Sequence, residues 1–245
     1  MENFDILIVC HKKDSLKLPL VLESIEHNIV GFENIHIISN STLNIDHSKV
    51  FTHNEKDILE VDFDKIHYRP TWIYQQLLKL LQTVTQDWFL VIDADTIVTK
   101  KIEPMANGNP KFFFNQNEQE YPPYFNFCKK LNVKKVCPNT FISEIMMFNR
   151  SYIKKLFESN NLDTEDKILN FIYKNVNIYH QLSEYELYGN FIEMNFPDLY
   201  EKKFISSWGF GKGSKDENFW NENRIKVMTD VYSKDYDLMS FHTYN

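Results

Sequence analysis

Apolar positions along this chain alternate between short continuous runs and helical stripes, the pattern of an α/β fold. The run Phe4–Cys10 (FDILIVC) has the unbroken, β-branched character of a strand covered on both faces. An amphipathic helix is expected from about Leu16 to Asn28, with Ser15 placed to cap it, and Asn34–Ser39 (NIHIIS) predicts a second strand. Strand, helix and strand in that order imply parallel pairing through a right-handed crossover. Val50–Thr52 predicts a short third strand.

After Arg69-Pro70, where proline suits a first helical turn, TWIYQQLLKLLQTV reads at about 100° per residue. Ile73, Tyr74, Leu77, Leu78, Leu80, Leu81 and Val84 share one arc and are expected in the core. Trp72, Gln76, Lys79 and Thr83 share the opposite stripe, which reads as a cleft wall with Gln76 and Lys79 reaching a sugar or phosphate, or as a solvated face with one stray tryptophan. The stretch that follows, Trp88–Val98 (WFLVIDADTIV), predicts an interior strand ending in two carboxylates one residue apart. In an open α/β sheet, ligands sit beyond the carboxyl ends of the strands. On an extended backbone, Asp93 and Asp95 would point to the same side and could face one hard cation. An Asx-type turn, with both side chains bonded to backbone, is the other reading of the same tripeptide. His11, Lys12 and Asp14 follow the first strand and would share that sheet edge, as nucleotide contacts or as an ordinary solvated loop.

Further strands are predicted at Lys111–Asn115 and Thr140–Asn149, and helices at Ser151–Ser159 and Thr164–Lys174. Between them Gln116–Asn139 reads as a long polar and aromatic loop, whose rings at Tyr121 and Tyr124 either stack on a sugar or pack as a flap. Ser183-Glu184-Tyr185-Glu186 opens a helix to about Glu193, with Ser183 and Glu186 as a capping box. Glu186, Asn190 and Glu193 share its polar arc, whereas Glu184 sits amid Leu187, Tyr188, Phe191 and Ile192. An unpaired carboxylate in such a place costs several kcal/mol. Glu184 is therefore either a catalytic carboxylate or one satisfied by backbone amides or by a Lys or Arg. Trp208–Gly213 holds three of the chain's six glycines and reads as a lid carrying Lys212 to a leaving diphosphate, or as a plain turn. A strand is expected at Asp237–Phe241, followed by His242, which could add an imidazole ligand to a two-carboxylate site.

Composition narrows the partners. The 245 residues fit one large α/β domain, and the hydrophobic fraction of 43% supplies its core. A net charge of −7 without a dense basic block argues against nucleic acid or an anionic membrane surface. No apolar run approaches the roughly 20 residues of a membrane span. The three cysteines show no Cys-x-x-Cys spacing, so reduced thiols and a cytoplasmic setting are expected, with no secretory leader.

Taken together, Asp14 in the first loop, WIYQQLLKL, FLVIDADTIV and SEYELYGNF resemble the GT-A glycosyltransferases that use nucleotide-sugars, most closely those of polysaccharide and capsid-glycan pathways. The resemblance covers nearly the whole chain. It implies a mixed, mostly parallel sheet flanked by helices with a Rossmann-like nucleotide half. Residues 1–115 would hold the donor and 116–245 the acceptor. It also implies Mn²⁺ or Mg²⁺ on Asp93, Asp95 and His242. Donor contacts would come from His11, Asp14, Gln76, Lys79, Asp93 and Lys212, with Glu184 as the catalytic carboxylate. The expected activity is sugar transfer from a UDP- or GDP-linked donor to a glycan hydroxyl. The Gly and Lys-Pro-Trp segment that follows the histidine in some relatives is missing here. Two rivals fit parts of the pattern. DADT after an apolar strand also suits a HAD-type phosphatase, and the aromatics suit a carbohydrate-binding module with a structural Ca²⁺.

Overall fold

The computed structural model describes residues 3–106, 108–118, 121–210 and 219–243, the side chains of 116–118 excepted. Its first half runs β1 (Phe4–Cys10), α1 (Leu18–Asn28), β2 (Phe32–Ser39), β3 (Val50–Asn54), α2 (Glu55–Ile58), α3 (Pro70–Leu81), β4 (Trp88–Ile92) and β5 (Thr96–Val98). Then come β6 (Met105–Ala106), β7 (Asn109–Glu118), α4 (Pro122–Lys130), β8 (Asn139–Thr140), β9 (Ile145–Asn149), α5 (Arg150–Glu158) and α6 (Glu165–Asn175). The last elements are α7 (Glu184–Asn195), β10 (Glu201–Phe204), β11 (Ser207–Phe210), α8 (Glu222–Tyr232) and β12 (Leu238–Phe241).

The central sheet has the order β3-β2-β1-β4-β9. Its first four strands are parallel, and β9 closes the edge antiparallel to β4. The apolar pattern implies an α/β fold with parallel strands, the resemblance a mixed, mostly parallel sheet flanked by helices, and this sheet is both. All seven residues of β1 are buried, as expected of an inner strand with a parallel neighbour on each side. Ile6 sits between Ile35 and Leu90, each fully enclosed. A side chain so buried contributes about 1.5–3 kcal/mol. Five of the seven expected core residues of α3 are buried; Leu81 and Val84 are half-buried because the helix stops at Leu81 and Gln82 turns away.

Several expectations need correction. Trp88–Val98 is not one strand. It breaks after Ile92 into a turn in which Thr96 N–H donates to the Asp93 carbonyl at 3.1 Å, and Thr96–Val98 then pairs antiparallel with β12 in another sheet. Asp93 and Asp95 thus meet the cleft through a turn and not through strand pleating. Helix α1 starts two residues late, because His11–Asp14 first forms a tight 3₁₀ turn; Ser15 Oγ donates back to the Lys12 carbonyl at 2.7 Å and caps nothing in α1. The region read as a long loop contains α4, which has a proline in its first turn and buries Phe127 and Cys128. The capping box is only half formed. Ser183 Oγ accepts from Glu186 N at 3.3 Å, but the Glu186 carboxylate turns to Thr140 Oγ1 at 2.7 Å and Phe141 N at 3.0 Å. The arc Glu186–Asn190 is consequently buried, polar groups bonding polar groups inside the core. Among the described residues no helix is long and apolar enough to cross a membrane.

Candidate active site

The loops after β1 and β4, the outward stripe of α3, the first turn of α7 and the chain beyond β12 converge on a cleft of about 320 Å³. Its floor is the turn Asp93-Ala94-Asp95, and Asp14, Trp72, Gln76, Lys79, Glu184 and His242 line it as well. The stripe read from the periodicity of α3 is therefore a cleft wall: Gln76 and Lys79 are buried and Trp72 is half-buried. Thr83 lies beyond the helix end and is exposed.

Two charge groups hold the floor in place. On one side the Lys79 ammonium lies 2.7 Å from Asp93 Oδ1 and 2.6 Å from Glu184 Oε1, and 4.8 Å above the Tyr185 ring. The Tyr185 hydroxyl donates to the same Asp93 oxygen at 3.2 Å. Burial works against the ammonium, but Asp93 and Glu184 outweigh it and hold its pKa well above the usual lysine value. Glu184, 4% exposed, is thus a buried carboxylate with a partner, and its backbone N–H donates to Gln76 Oε1 at 3.1 Å. On the other side His242 Nδ1 lies 3.0 Å from Asp95 Oδ2. Burial opposes the imidazolium, yet the bond to Asp95 and its charge raise His242 to about 9; the same bond keeps Asp95 below the ordinary carboxylate range against its own burial.

The loop after β1 ties the chain's end to this floor. Lys17 Nζ reaches Asp14 Oδ1 at 2.7 Å and Thr243 Oγ1 at 3.1 Å, and Lys13 Nζ donates to the Thr243 carbonyl at 2.9 Å. Burial and the charge of Asp95 push Asp14 up, against the pull of Lys17. His11 is not among the residues lining the cleft; its Nδ1 accepts from Lys13 N at 3.3 Å and closes the turn. Lys212 lies outside the described residues.

One oxygen of each floor carboxylate, Asp93 Oδ2 and Asp95 Oδ1, accepts no hydrogen bond among the described residues. Two unspent hard oxygens in an open cleft suit a small divalent cation that takes its remaining ligands from phosphate and water. Among the described residues no group of three or more His, Cys, Asp and Glu side chains forms a ready-made cage.

Sequence reasoning missed Lys13, Lys17, Arg69, Tyr185 and Glu144. Glu144 sits in left-handed backbone (φ +59°) at the start of β9, its carbonyl accepting from Asp93 N at 3.2 Å. Burial raises it to about 7, and the charges of Asp93 and Asp95 add to this against a bond from Ser207. A lone acid in the apolar run TFISEIMMF is the signal that could have found it, by the reasoning that singled out Glu184.

No curated protein sequence matches the chain. Among solved structures it resembles an active-site mutant of LgtC at 11% identity and a TM-score of 0.49, covering 98% of this chain and 88% of that one. The bifunctional glycosyltransferase WbbM in its apo form shares 13% identity at a TM-score of 0.45, with 98% of this chain and 46% of that one covered. Mouse xyloside xylosyltransferase 1, also apo, shares 8% identity at 0.47, covering 98% and 97%. None of these scores reaches 0.5, and the α/β assignment stands on the strand order itself. Residues 4–234 match the sequence profile of a family of unknown function, DUF6492, and the chain belongs to that family.

Proposed function

We propose that this chain is a metal-dependent glycosyltransferase that moves a hexose-like group from a nucleoside-diphosphate sugar, UDP- or GDP-linked, to a glycan hydroxyl. The observation carrying this reading is the pair of cleft-lining carboxylates at the carboxyl edge of parallel strands, each with one oxygen free of hydrogen bonds among the described residues. Asp93 and Asp95 hold Mn²⁺ or Mg²⁺ together with the donor diphosphate. When bound, the ion supplies Lewis-acid stabilisation of the charge on the departing diphosphate. His242, expected as a third ligand, takes the role of orienting Asp95 through Nδ1. Lys79 compensates Asp93 and Glu184 together, so that three carboxylates can share one cleft without expelling each other.

The nucleoside lies toward the β1 loop and Asp14, within residues 1–115. The acceptor lies toward α4 and α7, within 116–245. Glu184 is the carboxylate on the acceptor side. In an inverting reaction it takes the proton of the attacking hydroxyl, after Lys79 shifts its weight to Asp93. In a retaining one it positions the acceptor. A thermal-shift panel of nucleoside diphosphates and their sugars, with and without Mn²⁺, tests the reading. A true donor at a hundred times its Kd raises stability by about 2.7 kcal/mol, and the gain should require the ion. A flat panel across uridine and guanosine diphosphates and their sugars defeats it.

A further inference from the structure

The cleft wall carries a cation that the transfer chemistry does not use. Arg69 stands immediately before α3 in left-handed backbone (φ +49°, ψ +54°), a conformation costly for a residue with a side chain. Its guanidinium lies 4.2 Å from the centre of the Trp72 ring. Trp72 is stacked in turn on Tyr124, 6.1 Å between centroids, and Tyr121 meets Tyr124 edge-on at 4.9 Å. A hydrogen bond from Gln181 Nε2 to the Tyr121 hydroxyl at 3.0 Å anchors the far end of this tier.

A guanidinium held over an aromatic ring spends no N–H donor in an ion pair by that contact and keeps its donors for an anion. Arg69 is exposed, and among the described residues no carboxylate pairs with it; Arg150 with Asp87 is the arginine ion pair found there. A pinned, unpaired planar cation at the lip of a cleft is an anion receptor. A second sign of a ligand lies one turn beyond Trp72. The Nε2 of Gln76, in a side chain 2% exposed, has no hydrogen-bond partner although it lines the same cleft.

Position decides which anion. Arg69 stands just outside the first turn of the helix whose stripe carries Trp72, Gln76 and Lys79, and the backbones of Pro70 and Lys79 are about 13 Å apart along the axis. A diphosphate held at Asp93 and Asp95, beside Lys79, does not span that distance. Arg69 stands instead, through Trp72, beside Tyr124 of α4, on the side given above to the acceptor. We infer that Arg69, held by Trp72 and Tyr124, binds an anionic group on the acceptor, so that the acceptor is an acidic saccharide bearing a carboxylate or a phosphate. This inference rests on the transfer reading above for the word acceptor, and on the geometry alone for the anion.

Isothermal titration of the whole chain with methyl glucuronide, glucose 6-phosphate, methyl glucoside and UDP with Mn²⁺ tests it. One or both charged sugars should bind about tenfold tighter than methyl glucoside, which also tells carboxylate from phosphate. R69Q should erase that preference, R69K should restore only part of it because the fork is lost, and UDP binding should stay unchanged in both. Equal binding of charged and neutral sugars, no binding of either charged sugar, or an undiminished preference in R69Q overturns the inference. So does a loss of UDP affinity in R69Q, which would give Arg69 to the donor. If UDP fails to bind while the charge preference still depends on Arg69, the transfer reading falls and the anion site stands.

Discussion

The two ends of the central sheet each carry an aspartate paired with a histidine, and they differ in what the carboxylate has left to give. At the amino edge, Asp5 lies 3.5 Å from His36 Nε2, and His36 Nδ1 lies 3.0 Å from His53 Nε2. Asp5 Oδ1 accepts from Asn34 N and Nδ2, both at 3.2 Å, and Oδ2 from Gln86 N at 2.8 Å. Both oxygens are consumed in tying β1 to β2 and to the start of β4, and Asp5 is 2% exposed. At the carboxyl edge, Asp95 meets His242 at 3.0 Å, and Asp93 meets Lys79, but each lines the cleft and retains an oxygen with no hydrogen bond among the described residues. The same pair of residue types is a staple at one edge and, in the proposed function, a socket at the other. Side-chain identity does not separate them; unspent hydrogen-bonding capacity and the sheet edge do.

The contrast breaks most visibly on Asp95. D95A should lower turnover by about a thousandfold or more, the scale of losing a principal electrostatic element of a transition state, while the fold survives. Steady-state transfer or donor hydrolysis, read beside circular dichroism, decides it; retained turnover would end the socket reading. Lys79 comes next because it belongs to both worlds. K79M leaves Asp93 and Glu184 without their shared countercharge and should cost about 3–5 kcal/mol in urea unfolding. Adding E184Q should recover part of that loss, and a double variant no more stable than K79M would mean that the two side chains are not coupled.

Asp5 should behave in the opposite way. D5A strands the Gln86 and Asn34 amides and should destabilise by about 1–3 kcal/mol, with nucleotide binding per folded molecule unchanged. Acid sharpens the point. Although burial alone would raise it, the bond and charge of His36 and the Gln86 amide hold the Asp5 carboxyl below its ordinary value of 3.8. A depressed carboxylate stabilises the fold above its unfolded pKa and loses that contribution as pH falls through the folded one. Unfolding free energies of the native chain and D5N should therefore converge between about pH 4 and pH 2. Parallel curves would show that Asp5 carries no such linkage.

Much of this was legible in the amino-acid order, and the failures share a cause. The strand Phe4–Cys10, the second strand over Asn34–Ser39, helix α3 and the cleft-wall stripe of Trp72, Gln76 and Lys79 follow from local periodicity, which burial enforces residue by residue. The break after Ile92 did not show, because Thr96–Val98 is as apolar as the strand before it, and the partner that pulls it away, β12, lies some 140 residues later. Glu186 read as a cap for the same reason: Thr140 and Phe141, which claim its carboxylate, are remote in sequence. Asp5 and His36 escaped notice inside strand runs, although a charge in such a run was the clue that exposed Glu184. Helix α4 is masked by Tyr121-Pro122-Pro123, where the prolines that open the helix read equally well as loop.

The smallest expected effect tests whether His242 is held as a socket part must be. Strand β11 passes beside the imidazole at Gly209, where an added Cβ would stand 3.2 Å from His242 Nε2 and 3.3 Å from its Cδ2. That is closer than a methyl group and a ring carbon comfortably approach, so the ring must yield by a few tenths of an ångström. Because Gly209 is exposed, G209A should leave thermal stability within about 0.5 kcal/mol of the parent. The ring's displacement loosens its hold on Asp95, and an orienting partner of a metal-binding carboxylate is worth roughly 10-fold or more in metal affinity. Mn²⁺ titration in the presence of UDP should thus weaken by up to about tenfold, with Kd for UDP alone unaltered. The matching change at the other edge, H53A, removes the outer imidazole of the Asp5 chain and should leave Mn²⁺ affinity untouched. If G209A binds Mn²⁺ as the parent does, the bond between His242 and Asp95 has the same purely structural standing as that between His36 and Asp5, and the asymmetry between the two edges rests on Asp93 and Asp95 alone.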